Sequence, residues 1–291
     1  MLSYIQNSKF IMSKLNYLNV GCGGKFHTDW VNIDVVSQSP HVIQHDITKG
    51  LPFKDNTFEV VYHSQVLEHF HKKEGTEFIR ECFRVLKPGG IIRIVVPDLE
   101  NIIREYLKLL EQNLNNPSPE GEENYKWILL ELFDQTWRNH SGGGMSEYLG
   151  RPELLNEKYI TERCGFNATH TRKYALKAKN TLPKPSPFRR LKSSIKKIFL
   201  PSSTDALMEN FLSSDYRNFI EVGKFRLGGE VHYHMYDRYS LSELLTETGF
   251  KKIKNKSPFE SEIPEWGKYS LDVKDKTIYD PTSLFIEAVK E

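Results

Sequence analysis

The chain has 291 residues, 38% hydrophobic and 27% charged, with a net charge of +2; that length suits one large globular domain or one domain carrying a long insertion. No apolar run approaches the roughly 18 residues of a membrane span, and the three scattered cysteines (Cys22, Cys82, Cys164) form no C-x-x-C pair, which suggests a reducing compartment and no structural zinc; the chain is expected to be cytoplasmic. Residues 165–204 hold ten Lys/Arg and no Asp/Glu, which leaves the rest of the chain at −8, so the protein as a whole does not read as a nucleic-acid binder.

Residues 1–16 carry Lys9 and Lys14 but no clean apolar stretch before a small-residue cleavage site, and they read as a mature N-terminus. YLNV (17–20) reads as a short buried strand ending at a glycine, WVNIDV (30–35) as a second strand and HVIQ (41–44) as a third. Pro52 and Asp55-Asn56 mark a loop, and Phe58–Tyr62 a fourth strand. Phe78, Ile79, Cys82, Phe83 and Leu86 then repeat at helical spacing, and Pro88-Gly89-Gly90 stops them. IIRIVVP (91–97) is a continuous apolar run, as expected of a strand buried on both faces. Strands alternating with crossovers predict a parallel sheet.

After Asp98 the pattern changes. Ile102, Ile103, Tyr106, Leu107 and Leu110 mark a helix, and residues 115–230 hold helical patches, a Ser-Gly-Gly-Gly turn at 141–144 and the basic segment. The sheet resumes with a helix at 241–250 closed by Gly249, a strand in KKIKNK and a last strand at 283–290. The sheet domain is therefore expected to be split into 1–100 and 231–291, with 101–230 inserted between its fifth and sixth strands.

Gly21 and Gly23 follow the first strand directly, where glycine lets the backbone turn sharply and approach a ligand. Thirteen residues after Gly21, Asp34 ends the second strand, and a carboxylate at the switch point of a parallel sheet can accept both hydroxyls of a ribose. Alone this pattern is weak, since a tight turn and a surface aspartate would look the same. Three further segments join it: Asp46-Ile47, LPFKDNTFEVVYHSQVLEHF (51–70) and RVLKPGGIIRIVVP (84–97). In this order and spacing they resemble the class I S-adenosylmethionine-dependent methyltransferases, specifically the methyltransferase type 11-like family, over about residues 16–100 and again at 234–253.

The resemblance implies an α/β Rossmann-like class I methyltransferase fold, a mostly parallel seven-stranded sheet with a largely helical insertion serving as lid and acceptor region. It implies S-adenosyl-L-methionine as cofactor and S-adenosyl-L-homocysteine as product. Gly21, Cys22 and Gly23 would pass under the methionine part, Asp34 would hold the ribose, and Asp46 and Ile47 would flank the adenine. His63 and Ser64 would line the methyl-transfer face, Leu67 would pack near the cofactor and His69 would close the LEH turn. The chain also departs from the family. Asn19 stands where an acid is usual two residues before the first glycine, and Lys25 falls on the third glycine of the usual pattern. Only residues 24–29 separate loop from second strand, too few for the usual crossover helix.

A hydroxyl acceptor needs a base, and histidine suits neutral pH. The candidates are His63, His69, His140, His232 and His234, any of which could equally be a surface or satisfied core histidine. GGEVHYHMYDRYS (228–240) ranks His232 first, with Tyr236 beside it at the acceptor. If that stretch is a strand, His232 and His234 share a face, but no nearby acid or cysteine spacing completes a metal site and no metal is expected. In ELFDQTWRNHSGGGM (131–145), Leu132, Phe133 and Trp137 read as a core face. Asp134, Gln135 and Arg138 read either as an acceptor site or as a solvent-exposed pair. In PFRRLKSSIKKIFLP (187–201), Phe188, Leu191, Ile195 and Ile198 share a helical face opposite basic residues. That helix could pack on its own domain, lie on an anionic membrane at the inner surface, or attract phosphate.

The expected function is methyl transfer to a small molecule or glycan, with a hydroxyl of a sugar or sugar-linked intermediate in surface-polysaccharide biosynthesis as the working acceptor. Two rivals stay open: a non-catalytic S-adenosylmethionine-binding protein, favoured by Asn19 and the missing crossover helix, and an NAD-linked oxidoreductase. Oligomeric state is not legible.

Overall fold

The computed structural model describes residues 16–37, 39–181 and 214–291. The basic stretch 187–201 and the prolines before it lie outside the described residues. The described part divides into two compact units, one made of the described residues up to 108 with 162–166 and 232–291, the other of 109–161 with the described residues of 167–231.

The first unit is built on a seven-stranded sheet of order β3-β2-β1-β4-β5-β9-β6. Strands β1 (Tyr17–Val20), β2 (Val31–Asp34), β3 (Val42–Gln44), β4 (Phe58–Ser64) and β5 (Leu86–Pro97) pair in parallel. β9 (Ser283–Lys290) runs antiparallel between β5 and β6 (Phe250–Lys256). The seven expected strands are therefore present. β7 (Val273–Lys274) and β8 (Thr277–Ile278) form a separate two-stranded ribbon.

Side chains alternate across the sheet with a period of two. Leu18, Val20, Val61, Ile92, Ile94 and Val96 enter one buried cluster, which α1 (Lys72–Val85) and α7 (Arg238–Thr248) cover. Helix α1 presents Gly75, Phe78, Ile79, Cys82 and Val85, one face at 3.6-residue period. Asp237 caps α7 by accepting from the amides of Tyr239 and Ser240 at 3.0 and 2.8 Å, and Gly249 closes it at φ 106°. The Pro88-Gly89-Gly90 stretch does not follow the helix as a turn. The helix has already ended at Val85, and the three residues lie within a strand whose register with β4 shifts between Phe58 and Val60.

The opposite face takes Tyr17, Val60, Tyr62, Val95 and Phe285. No helix lies between β1 and β2; the short connection delivers Trp30 into an aromatic cluster instead. Its ring lies 5.1 Å from Tyr17 and Tyr269 and 6.2 Å from Tyr62 and Trp266. Residues Trp266–Tyr269 (α8) thus supply apolar cover that a crossover helix would otherwise give. Beside them Arg93 is fully buried, paired to Asp272 at 2.6 Å and Glu287 at 2.7 Å, with its guanidinium 4.6 Å from the Trp266 ring.

The second unit is helical. It holds most of α3 to α6, namely α3 (Pro119–Trp137), α4 (Gly143–Leu149), part of α5 (Glu157–Thr181, kinked at Gly165) and α6 (Ser214–Arg226). Helix α2 (Leu99–Asn115) begins in the first unit. Ser118 caps α3, accepting from Gly121 N at 3.0 Å. The buried face of α3 is Trp127, Ile128, Glu131 and Asp134, not the expected Leu132, Phe133 and Trp137. Phe133 and Trp137 are exposed and stack on each other at 5.1 Å.

Candidate functional site

In an open α/β sheet, ligands bind beyond the carboxyl ends of the parallel strands. Here those ends carry Gly21–Gly24 after β1, Asp34 as the last residue of β2, and Ser64 at the end of β4 with Gln65–Phe70 beyond it. The amides of Gly21 and Cys22 both donate to Ile33 O, at 2.9 and 3.2 Å, which turns the loop back over β2. Gly21 (φ 64°) and Gly23 (φ 51°) are left-handed, where a Cβ is costly. A Cβ on Gly21 would also lie 2.5 Å from Val66 Cγ2, whereas nothing among the described residues comes within 4 Å of one on Gly23. The loop is therefore tight underneath and open above, as a ligand cradle requires.

Asp34 is tied to this loop. One carboxylate oxygen accepts from Gly23 N at 2.8 Å, the other from Val36 N at 3.0 Å. Each oxygen keeps acceptor capacity for a further hydroxyl. Exposed Val35 and Val36 follow directly, an apolar surface that the sequence reading overlooked. Cys22 is buried, and burial followed by the Asp34 charge pushes its thiol pKa up to about 12. Asp46 caps the 3-10 turn Ile47–Lys49 through Thr48, and that hydrogen bond together with Lys49 lowers its pKa to about 2. Ile47 is half-buried against the core beside it.

Asn19 has a structural role. Its amide donates to Lys25 O at 2.9 Å and Asn32 Oδ1 at 3.2 Å, so it locks loop to strand where an acid is usual.

Several expected site residues are placed elsewhere. His63 shares the parity of Val61 and faces α1, fully buried, with its ring 5.1 Å from Phe78. Burial alone drives its pKa down to about 3, so it is a neutral core residue rather than part of an open methyl-transfer face. Ser64, of opposite parity, is half-buried. Leu67 and Tyr236 belong to the core; burial raises the Tyr236 phenol to about 12, and its oxygen lies over Gly75. Tyr236 is therefore a packing residue and not a substrate contact.

In the helical unit, Asp134 accepts from Gly144 N at 2.7 Å and holds Arg138 at 3.4 Å, while Arg138 also pairs with Glu230 at 3.0 Å. A Cβ on Gly143 would lie 2.5 Å from Asp134 Oδ2, so the glycine turn exists to close over this carboxylate. Asp134 and Arg138 are thus committed to holding α3 against α4 and are not displayed to an acceptor. Gln135 is half-buried. His140 is exposed with Glu147 3.5 Å away, an ordinary surface pair rather than an enclosed catalytic base.

What the structure brings together instead is Glu68, His69 and His232. The stretch around His232 is not a strand, and His232 and His234 take different partners. The His232 ring meets His69 edge-on at 4.6 Å, and the His234 ring meets Tyr236 at 4.5 Å. Tyr233 N and His234 N both donate to Glu68 O, at 2.8 and 3.3 Å, which fastens this segment onto the turn Leu67–His69. Gln65, just before the turn, holds a strained φ of 57°, pinned by its amide to Val95 O and its side chain to Ser283. Glu68 is fully buried, and burial raises its pKa to about 8. The amides of Val66 and Glu68 pull that value down somewhat, yet neither reaches hydrogen-bond geometry with the carboxyl. The sequence signal for Glu68 was present: an acid inside the apolar run Val66-Leu67-Glu68-His69-Phe70 has no amphipathic reason to be there.

The family model described as "Methyltransferase domain" matches residues 31–94, which include β2 to most of β5 and thus Asp34 and Glu68. A curated relative, a "probable S-adenosylmethionine-dependent methyltransferase" of Mycolicibacterium smegmatis, is 39% identical over 56 residues, 19% of this chain and 21% of the relative. The matched stretch thus spans about one fifth of that relative's length. Among solved structures, the [4+2]-cyclase SpnF is 28% identical over 29% of this chain and 40% of its own, at TM-score 0.24. A SAM-dependent methyltransferase of Thermotoga maritima is 13% identical over 100% of this chain and 89% of its own, at TM-score 0.37. At such TM-scores neither overlay bears on function. Among the described residues no helix is long and apolar enough to cross a membrane. The family match thus falls on β2 to β5 and on Asp34, within a seven-stranded, mostly parallel sheet, and over residues 31–94 the chain is similar to an S-adenosylmethionine-dependent methyltransferase domain.

Proposed function

We propose that this protein methylates a hydroxyl group of a sugar or sugar-linked intermediate, using S-adenosylmethionine, in the cytoplasm. The observation that supports the cofactor half is the bond between Gly23 N and Asp34: it joins an open glycine cradle to a carboxylate with acceptor capacity left for a ribose. The cofactor supplies a methyl already activated on a sulfonium, so the chain's own task is alignment and exclusion of water. A hydroxyl acceptor must also lose a proton. Glu68, His69 and His232, which the fold brings together, are the ionisable groups available for that task. A carboxylate or thiolate acceptor would have no use for such a cluster. A sugar is favoured by the exposed Phe133–Trp137 stack, an apolar platform for the C–H face of a pyranose ring.

Calorimetric titration with S-adenosylhomocysteine, with NAD in parallel, tests the cofactor. Micromolar S-adenosylhomocysteine binding without an NAD response is expected, and the reverse would make the protein an NAD-linked oxidoreductase. Transfer of labelled methyl to nucleotide sugars and lipid-linked sugars tests the acceptor. Tight cofactor binding with no transfer to any hydroxyl would instead favour a non-catalytic binding protein.

A further inference from the structure

We propose that Glu68, His69 and His232 form a binding site for a divalent transition-metal ion of the two-histidine, one-carboxylate type. One ligand atom from each residue lies within 4.8 Å of the others. Around a bound ion with ligands at roughly 2.0–2.2 Å, tetrahedral neighbours stand about 3.3 Å apart. Side-chain rotations of roughly an ångström would therefore close the triad onto an ion.

The second observation is Glu68 itself. Its side chain is completely buried, and neither carboxyl oxygen takes a hydrogen bond from any described residue. Native proteins rarely leave a buried carboxyl in that state, because each unsatisfied polar group costs about 1–3 kcal/mol and a charged one more. Two formal charges act on it, Lys25 and Asp280; their effects oppose each other and they pair together at 3.7 Å, and no salt bridge joins Glu68 to a described residue. A divalent cation answers both needs at once, neutralising the carboxylate and filling its coordination.

The framework also suits a metal site. Glu68 and His69 are adjacent in a one-turn 3-10 element braced by the strained Gln65. His232 arrives from a distant part of the chain and is held by two backbone hydrogen bonds from its neighbours to Glu68 O. Two imidazoles and one carboxylate favour Zn, Mn, Fe or Co over Ca or Mg, which prefer all-oxygen ligands. Three protein ligands also leave positions for water or an acceptor oxygen, in the manner of catalytic sites. The proposal concerns metal binding and holds whatever the acceptor is.

The test uses the full chain, free of any histidine tag and stripped with chelator. Titration with Co(II) is followed by absorbance, and uptake of Zn(II) and Mn(II) by equilibrium dialysis with elemental analysis. One equivalent per chain is expected, with ligand-field bands and no thiolate charge-transfer band, since none of the three ligands is a cysteine. Glu68→Gln and His232→Asn should each weaken binding by more than the roughly 10–100-fold typical of second-shell changes. Their thermal midpoints and S-adenosylhomocysteine affinity report whether they fold. The wild-type chain decides independently of any variant: ion excess should raise its thermal midpoint, as for any ligand that binds only the folded state. Uptake well below one equivalent of all three ions, or binding unchanged in both variants, would overturn the proposal.

Discussion

Replacing Asp34 should weaken cofactor binding by a predictable amount. The carboxylate has roughly four acceptor sites, of which the amides of Gly23 and Val36 occupy one on each oxygen. The remaining capacity is what a ribose would use. A hydrogen bond to a charged group contributes about 1.5–3 kcal/mol net. Asp34→Ala should therefore lower S-adenosylhomocysteine affinity by roughly 10–150-fold. Alanine also releases Gly23, so Asp34→Asn separates the two effects. The asparagine oxygen can still accept from Gly23, but one acceptor and the charge are lost. Calorimetry on wild type and both variants, with thermal midpoints as a fold control, is the assay. A loss in both variants supports the ribose contact. A loss in Asp34→Ala alone would mean that Asp34 shapes only the loop, and unchanged affinity in both would refute the assignment.

Gly21→Ala places a Cβ 2.5 Å from Val66 at a left-handed φ, and should cost about 1–3 kcal/mol of stability, with Val66→Ala partly restoring the thermal midpoint. Arg93→Ala leaves Asp272 and Glu287 buried without their partner, and should cost about 3–5 kcal/mol in urea denaturation. His63 has a folded pKa of about 3, below its ordinary value, so its contribution is present above about pH 6.5 and is lost as pH falls toward 3. Across that window wild type should lose up to about 1.4 kcal/mol per pH unit more than His63→Leu, compared by denaturant titration at each pH; parallel pH profiles would show that this histidine is not held neutral by the fold. Deleting residues 183–201 should leave S-adenosylhomocysteine affinity intact while reducing flotation with anionic liposomes, and loss of both would make the segment part of the fold.

The strands, their order along the chain and the long interruption after the fifth were legible because buried strands and amphipathic helices leave their periods in the sequence. So was the glycine loop with its carboxylate, since φ above zero and an acid at a strand end are local requirements. The fate of individual polar side chains was not. His63 follows from strand parity only once the face covered by α1 is known, and Asp134 and Arg138 depend on how α4 folds back onto α3. Trp30 takes over from a missing helix only because residues 266–269 return to meet it. Glu68 and His232 are 164 positions apart, and nothing in the spacing near either announces the other. Sequence determines what each segment can bury, whereas tertiary structure decides which charges are left inside together, because burial turns an inexpensive surface group into one that must find a partner.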